Sequence, residues 1–244
     1  MDLITSSNNS LIKHLAKLNK SSAYRNESKT FLIEGKKLIQ EWLEKAPLKN
    51  LLIEQNLPSL KDINPIYLKK ELCQKISALK TNDGYFAEVE FPKKPDLKKV
   101  KKLLVIDKIQ DPKNLGALIR SALAFSFDAI FILDGSVDPY SPKVIRASMG
   151  AVLHTPLYKG SSIGLKEFVQ LHNLTLYIAD ASGLSIDELN IKTPFALVLG
   201  NEANGSDLKN ETNIKKVSIP IENVDSLNVA IAGSLLMFQL KGTL

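Results

Sequence analysis

Past residue 102 the chain alternates between short apolar runs and stretches in which apolar positions recur every three or four residues. Leu103–Asp107, Ala129–Leu133, Leu174–Ala179, Phe195–Leu199 and Lys216–Pro220 have the length and apolar density of buried strands. Between them, Asn114–Phe125, Pro142–Met149, Leu165–His172 and Ser226–Leu240 carry helical spacing. Strands alternating with helices predict an α/β body with a mostly parallel sheet covered on both faces. Ahead of it the pattern is more broken. Leu11, Ile12, Leu15 and Leu18 form one stripe of a helix running from Asn8 or Asn9 to about Lys20. A polar loop over residues 21–29 follows. Then come a strand at Thr30–Ile33, a turn at Gly35, a helix at Lys36–Lys45 and a strand at Leu48–Glu54. Mixed helix and loop at Ile66–Ser77 and an alternating strand at Tyr85–Phe91 complete a smaller α/β module. Phe91-Pro92-Lys93-Lys94-Pro95-Asp96 and the lysines after it read as a linker, which divides the chain into residues 1–96 and 97–244.

Length and charge refine this picture. A chain of 244 residues accommodates two such modules. A single cysteine, Cys73, excludes an internal disulfide framework. No signal-peptide pattern and no apolar run of membrane-spanning length is found, so a cytoplasmic protein is expected, away from any membrane. The net charge of +6 is unevenly placed: residues 1–102 hold 20 Lys and Arg against 12 acidic residues, and the remainder is slightly acidic. That asymmetry suggests a polyanion-binding module on a near-neutral body. Lys13, Lys17 and Lys20 share one face of the first helix, where they can track phosphates or simply be solvated.

Several chemistries are unsupported. The first strand of the body ends in Ile106-Asp107-Lys108-Ile109-Gln110-Asp111-Pro112-Lys113-Asn114-Leu115-Gly116, without the glycine fingerprint of a dinucleotide fold. A Walker loop and a nucleophile elbow are missing too. His14, His154 and His172 are scattered, so no metal is expected.

Three segments instead resemble the SpoU (TrmH-like) RNA ribose 2′-O-methyltransferases of the SPOUT superfamily. Asn114-Leu115-Gly116-Ala117-Leu118-Ile119-Arg120 is similar to their first motif, and Leu199-Gly200-Asn201-Glu202-Ala203-Asn204-Gly205 to the second. Ile219-Pro220 through Ser226-Leu227-Asn228-Val229-Ala230 is similar to the third. Arg146-Ala147-Ser148-Met149-Gly150-Ala151 resembles a further recurrent stretch, and Ile4–Gly35 resembles part of the family's substrate-binding domain. The likeness implies a C-terminal trefoil knot, a rare exception among folds. It also implies S-adenosylmethionine as cofactor, a homodimer joined through the knot region, and an RNA substrate. Ribosomal RNA is favoured by the attached N-terminal domain.

The resemblance implies catalytic roles for Arg120, Asn114, Glu202, Ser226 and Asn228, and cofactor contacts for Gly200, Ile219 and Leu227. Arg120 lies about 150° from the apolar stripe of its own helix. It is thus a solvated arginine by pattern and a phosphate clamp or hydroxyl-handling group by resemblance. Asn114 and Ser226 each double as candidate helix N-caps. Lys13, Lys17, Arg25 and Lys29 are the RNA-binding candidates. One departure from the family stands out: five residues, Ile221–Asp225, separate Pro220 from Ser226 where six are commoner, and Glu222-Asn223 replaces a glycine. The alternatives are a tRNA ribose methyltransferase, a non-catalytic RNA-binding or ribosome-assembly factor on the same scaffold, and a nicotinamide enzyme.

Overall fold

A computed structural model describes residues 3–60, 63–92, 99–191, 194–201, 205–210 and 214–242. The chain divides into two compact units, Met1–Lys93 with Tyr140–Arg146, and Lys94–Pro139 with Ala147–Leu244.

The first unit contains β1 (Leu3–Ile4), α1 (Ser10–Lys20), α2 (Ser22–Ser28), β2 (Thr30–Glu34), α3 (Lys36–Leu43), β3 (Asn50–Glu54), β4 (Ile66–Leu68), α4 (Lys70–Ile76) and β5 (Tyr85–Glu90). Its five strands form a mixed sheet in the order β1-β4-β3-β5-β2. Asn9 caps α1 by accepting from the Leu11 amide, and Ile12, Leu15 and Leu18 bury the predicted stripe against Leu32, Leu52 and Phe86. Beneath α1 lies Glu88, fully buried. Its carboxylate accepts from His14 Nε2 at 2.9 Å, Lys49 Nζ at 3.0 Å and Asn50 Nδ2 at 2.7 Å. Burial pushes this carboxyl up, but the bonds from His14, Asn50, Lys49 and Thr30 outweigh it and hold the pKa below the usual value. An ionised Glu88 only accepts, so Nε2 of His14 carries the proton; in the neutral ring Nδ1 then accepts from the Tyr24 hydroxyl, 2.9 Å away.

The polar stretch after α1 differs from expectation. It is a helix, α2, started by Ser21, whose side chain accepts from the Tyr24 amide. Ser-rich polar sequence disguises a short helix that gains its stability from a cap and from tertiary contacts rather than from an apolar stripe. The segment Ile66–Ser77 likewise holds a strand, β4, ahead of its helix.

The second unit contains β6 (Lys102–Ile106), α5 (Pro112–Ala124), β7 (Ala129–Leu133), β8 (Leu157–Gly160), α7 (Ser162–His172), β9 (Thr175–Ser185), β10 (Phe195–Leu199), β11 (Ile214–Ser218) and α8 (Val229–Leu240); α6 (Pro142–Ala147) falls across the division between the units. The six strands are ordered β11-β9-β10-β6-β7-β8, and every recorded pairing is parallel. β6, β7 and β10 are buried throughout, which is why they read as unbroken apolar runs. β8 was not expected from the sequence, because Leu157-Tyr158-Lys159-Gly160 is a half-exposed edge strand without an apolar run.

Two glycines bring the site elements together. A side chain at Gly116 would collide with the Ala147 side chain and the backbone of Ala147 and Ser148. One at Gly233 would collide with Leu118 and Leu199. α8 therefore lies directly on α5, where Ser121 and Ser234 hydroxyls bond at 2.7 Å.

Candidate functional site

The pairing between β9 and β10 stops just before a polar stretch on each strand. Ile178 pairs with Val198, and two residues beyond them stand Asp180 and Gly200. β11 pairs with β9 through Lys216 opposite Ile178, and the next pair is Val217 opposite Leu184, so residues 179–183 bulge out of the ladder. Gly183 pins this bulge, since a Cβ there would sit 2.5 Å from the Val217 amide nitrogen. At β10, Asn201 and Gly205 bond across their turn at 3.1 and 2.9 Å, and Gly200 packs where a side chain would meet the backbone of Gly205 and Ser206.

These turns and the segment leading into α8 enclose a cavity of about 510 Å³. Its walls include Leu199, Ile219, Ile221, Leu227 and Leu236, with Asp180, Asn201, Ser206, Ser218, Asp225 and Ser226 as the polar side chains among the described residues. No described lysine or arginine lines it. The size, the apolar walls and the few polar groups suit a nucleoside-sized ligand.

The sequence candidates fall as follows. Gly200, Ile219, Ser226 and Leu227 line the cavity together. Asn228 stands next in the chain and bonds through Nδ2 to Oδ1 of Asn114 on α5 at 3.1 Å. Neither N-cap expectation holds in its original form. Asp111 caps α5, with Pro112 in the first turn, which leaves Asn114 inside the helix. Asn228, not Ser226, caps α8, its Oδ1 accepting from the Ala230 and Ile231 amides. Arg120 is exposed on α5, away from the stripe of Leu115, Leu118, Ile119 and Ala122. Glu202 lies outside the described residues. The short Ile221–Asp225 loop closes through Asn223, whose φ of 63° is the left-handed region that asparagine tolerates.

In the first unit, Lys13, Lys17 and Lys29 are exposed, with the Lys17 ammonium 5.3 Å from the centre of the Tyr24 ring. Arg25 must be corrected. It is only 3% exposed, and its guanidinium donates to the Leu18 carbonyl in the last turn of α1. There it satisfies a carbonyl left open at a helix end, so it is no phosphate contact.

Sequence reasoning missed two groups. Asp107, buried at the end of β6, accepts from Ser206 Oγ at 2.6 Å and from the Asp207 amide at 3.0 Å, fastening the turn after β10 to the strand beside it. Asp180 accepts from Ser182 Oγ at 2.6 Å and its amide at 2.9 Å, and pairs with Lys216 Nζ at 3.3 Å. The Ser182 hydroxyl and amide, with Lys216, hold its pKa below the usual carboxylate value despite partial burial. The available signal was an acidic residue directly after an apolar strand. Among the described residues no group of three or more His, Cys, Asp or Glu side chains is placed to hold a metal ion. No helix among them is long and apolar enough to cross a membrane.

A parallel α/β body with a ligand-sized cavity at its strand ends, carrying three family motifs around it, defines an RNA methyltransferase of the SpoU type. The chain belongs to the SpoU rRNA methylase family, whose model matches residues 101–238, and an MRM3-like substrate-binding domain matches residues 9–87. It is 31% identical to the 23S rRNA (guanosine(2553)-2′-O)-methyltransferase RlmP of Bacillus subtilis, over 99% of this chain and 100% of that protein. A TrmH-family RNA methyltransferase structure from Porphyromonas gingivalis superposes with a TM-score of 0.83 at 28% identity, covering 97% of this chain and 98% of that one. The SpoU methyltransferase AviRb from Streptomyces viridochromogenes, solved with AdoMet, shares the fold with a TM-score of 0.84 at 22% identity, covering 96% of this chain and 98% of that one.

Proposed function

We propose that the protein transfers a methyl group from S-adenosylmethionine to a ribose 2′-hydroxyl of ribosomal RNA. The observation that carries this reading is the single cavity shared by Gly200, Ile219, Ser226 and Leu227 from two family motifs, beside the Asn114–Asn228 pair that links the first motif to the third. Its volume, its apolar walls for a flat base and its few polar side chains fit the cofactor. The relative RlmP, with its 23S rRNA substrate, and the match to a substrate-binding domain favour ribosomal RNA over tRNA.

When bound, the cofactor supplies an electrophilic methyl group on sulfur. The protein's part is to align a weakly acidic hydroxyl with it and to keep the cavity dry. Ser226 and the amide of Asn228 orient the ribose at the cavity mouth, and Asn114 fixes the Asn228 carboxamide. Arg120 meets the target hydroxyl or its neighbouring phosphate; its permanent charge favours the phosphate. Glu202 orders the loop after β10. Lys13, Lys17 and Lys29 hold RNA phosphates on the first unit. In this reading residues 1–96 and 97–244 are the RNA-binding and methyltransferase domains. The C-terminal segment is threaded as a trefoil knot, two copies pair through it, and the protein works in the cytoplasm.

The test is to map ribose methylation in ribosomal RNA from cells with and without the gene. Loss of a single 2′-O-methyl group that returns with the wild-type gene is expected; unchanged ribosomal RNA overturns the substrate. Arg120→Ala should lower turnover by about a hundredfold or more while calorimetry shows S-adenosylmethionine binding intact. Full activity in that variant removes Arg120 from the reaction.

A further inference from the structure

We propose that Asp180 is the cofactor-ribose acceptor of this cavity, its carboxylate accepting from a hydroxyl of the S-adenosylmethionine ribose. The inference rests on the cofactor reading above and adds a residue that none of the motifs contains.

Three observations carry it. Asp180 belongs to the bulge between Ile178 and Leu184, which takes it out of the β9–β11 ladder and onto the cavity wall, just past the last β9–β10 pair. An acidic side chain beside a parallel sheet is the acceptor for a ribose hydroxyl in dinucleotide folds, and the same chemistry is available to a carboxylate on this cavity wall. Next, the carboxylate is held rigidly while keeping capacity to spare. Oδ1 takes both bonds from Ser182 and Oδ2 pairs with Lys216. A carboxylate has about four lone-pair positions, so its bonds among the described residues leave one, on Oδ2, for a ribose hydroxyl, on a side chain that is 24% exposed.

The third observation selects among the cofactor's polar groups. Lys216 already places an ammonium 3.3 Å from Oδ2. A second ammonium, that of the methionyl end, would crowd a like charge against it. Neutral hydroxyls carry no such penalty and donate to the charged acceptor in a bond stronger than one between neutral groups. Ser182 and Lys216 are thereby positioning residues that orient the carboxylate.

The experiment measures binding rather than turnover, by displacement of labelled S-adenosylmethionine. The competing probes are 5′-methylthioadenosine, which lacks the amino-acid end, and its 2′,3′-dideoxy counterpart. For the wild-type protein, removing the hydroxyls should weaken binding about tenfold or more. For Asp180→Ala the two probes should bind within about twofold of each other, both near the weaker wild-type value. Asp180→Asn, which retains size and an acceptor for Ser182, should fall between, and thermal unfolding confirms that each variant folds. If the wild type binds S-adenosylmethionine but ignores the hydroxyls, or if both variants keep the full hydroxyl dependence, the assignment is wrong and the cofactor reading stands. Weakened binding of S-adenosylmethionine alone, with methylthioadenosine unaffected, would assign Asp180 to the ammonium and also overturn it. Failure of the wild type to bind S-adenosylmethionine removes the cofactor reading, and this inference with it.

Discussion

The carboxamide of Asn228 divides its two ends between folding and the site. Oδ1 accepts from the Ala230 and Ile231 amides at the start of α8, while Nδ2 donates to Asn114. Serine caps helices about as well as asparagine but is too short to reach α5. Asn228→Ser should therefore keep stability within about 0.5 kcal/mol, and Asn228→Ala should lose about 1 kcal/mol. Both should lose methyl transfer to a similar degree if the link to Asn114 matters. Thermal unfolding and single-turnover rates separate the two effects; an active Asn228→Ser protein would reduce the residue to a cap. This division also shows what a sequence discloses at the level of side chains. Gly200 and Ile219 directly follow β10 and β11, and Ser226 and Leu227 stand just ahead of α8, so their meeting around one cavity was legible. Asp107 and Ser206 are 99 positions apart and touch only once β6 and β10 pair. Arg25 looked like a phosphate ligand because its burial depends on α2 folding back on the end of α1, which no local pattern announces.

Among the elements, the buried strands of the second unit were the most readable. Ala129–Leu133 and Phe195–Leu199 begin and end where their apolar runs do. β9 was not: it resumes pairing after its bulge and runs on to Ser185, because Gly183 lets it approach β11, while Asp-Ala-Ser-Gly reads as a plain turn. α1 poses a different question, since its buried stripe says nothing of the opposite face. Lys13 and Lys17 are both exposed there, on a helix whose underside is fixed by the Glu88–His14–Tyr24 chain. A rigid helix presenting cations can hold phosphates in register. The Lys13→Glu, Lys17→Glu protein should bind RNA more weakly, and its logarithmic salt slope should flatten by about 0.7 for each lost contact with a single strand. Binding titrations at several salt concentrations check this, and an unchanged slope would return the lysines to ordinary solvated surface.

For the whole molecule the open question is the outer side of α8. The helix is apolar nearly all round, and its inner face is accounted for by Ala230, Gly233, Met237 and Leu240, all buried. Ile231, Leu235 and Phe238 follow at spacings of four and three on the other side, 54%, 44% and 46% exposed, with Leu123 of α5 also exposed. Large apolar side chains in that number on one helix face are costly in water and mark a contact surface. Two copies related by a two-fold axis would cover the same patch on each other, which is the commonest way such a face is buried. Leu235 lies between the other two on the helix, so a carboxylate there would be buried without a partner in the pair and harmless in a single chain. Wild-type protein should sediment at about twice the 27.0 kDa of one chain, and Leu235→Glu at the mass of one chain with its secondary structure retained. A wild-type protein that sediments as a single chain at micromolar concentration would refute the pairing. If Leu235→Glu is monomeric and still methylates RNA at the wild-type rate, each copy carries a complete site of its own. If it is monomeric, folded and inactive, the partner completes the site that α5 and α8 begin.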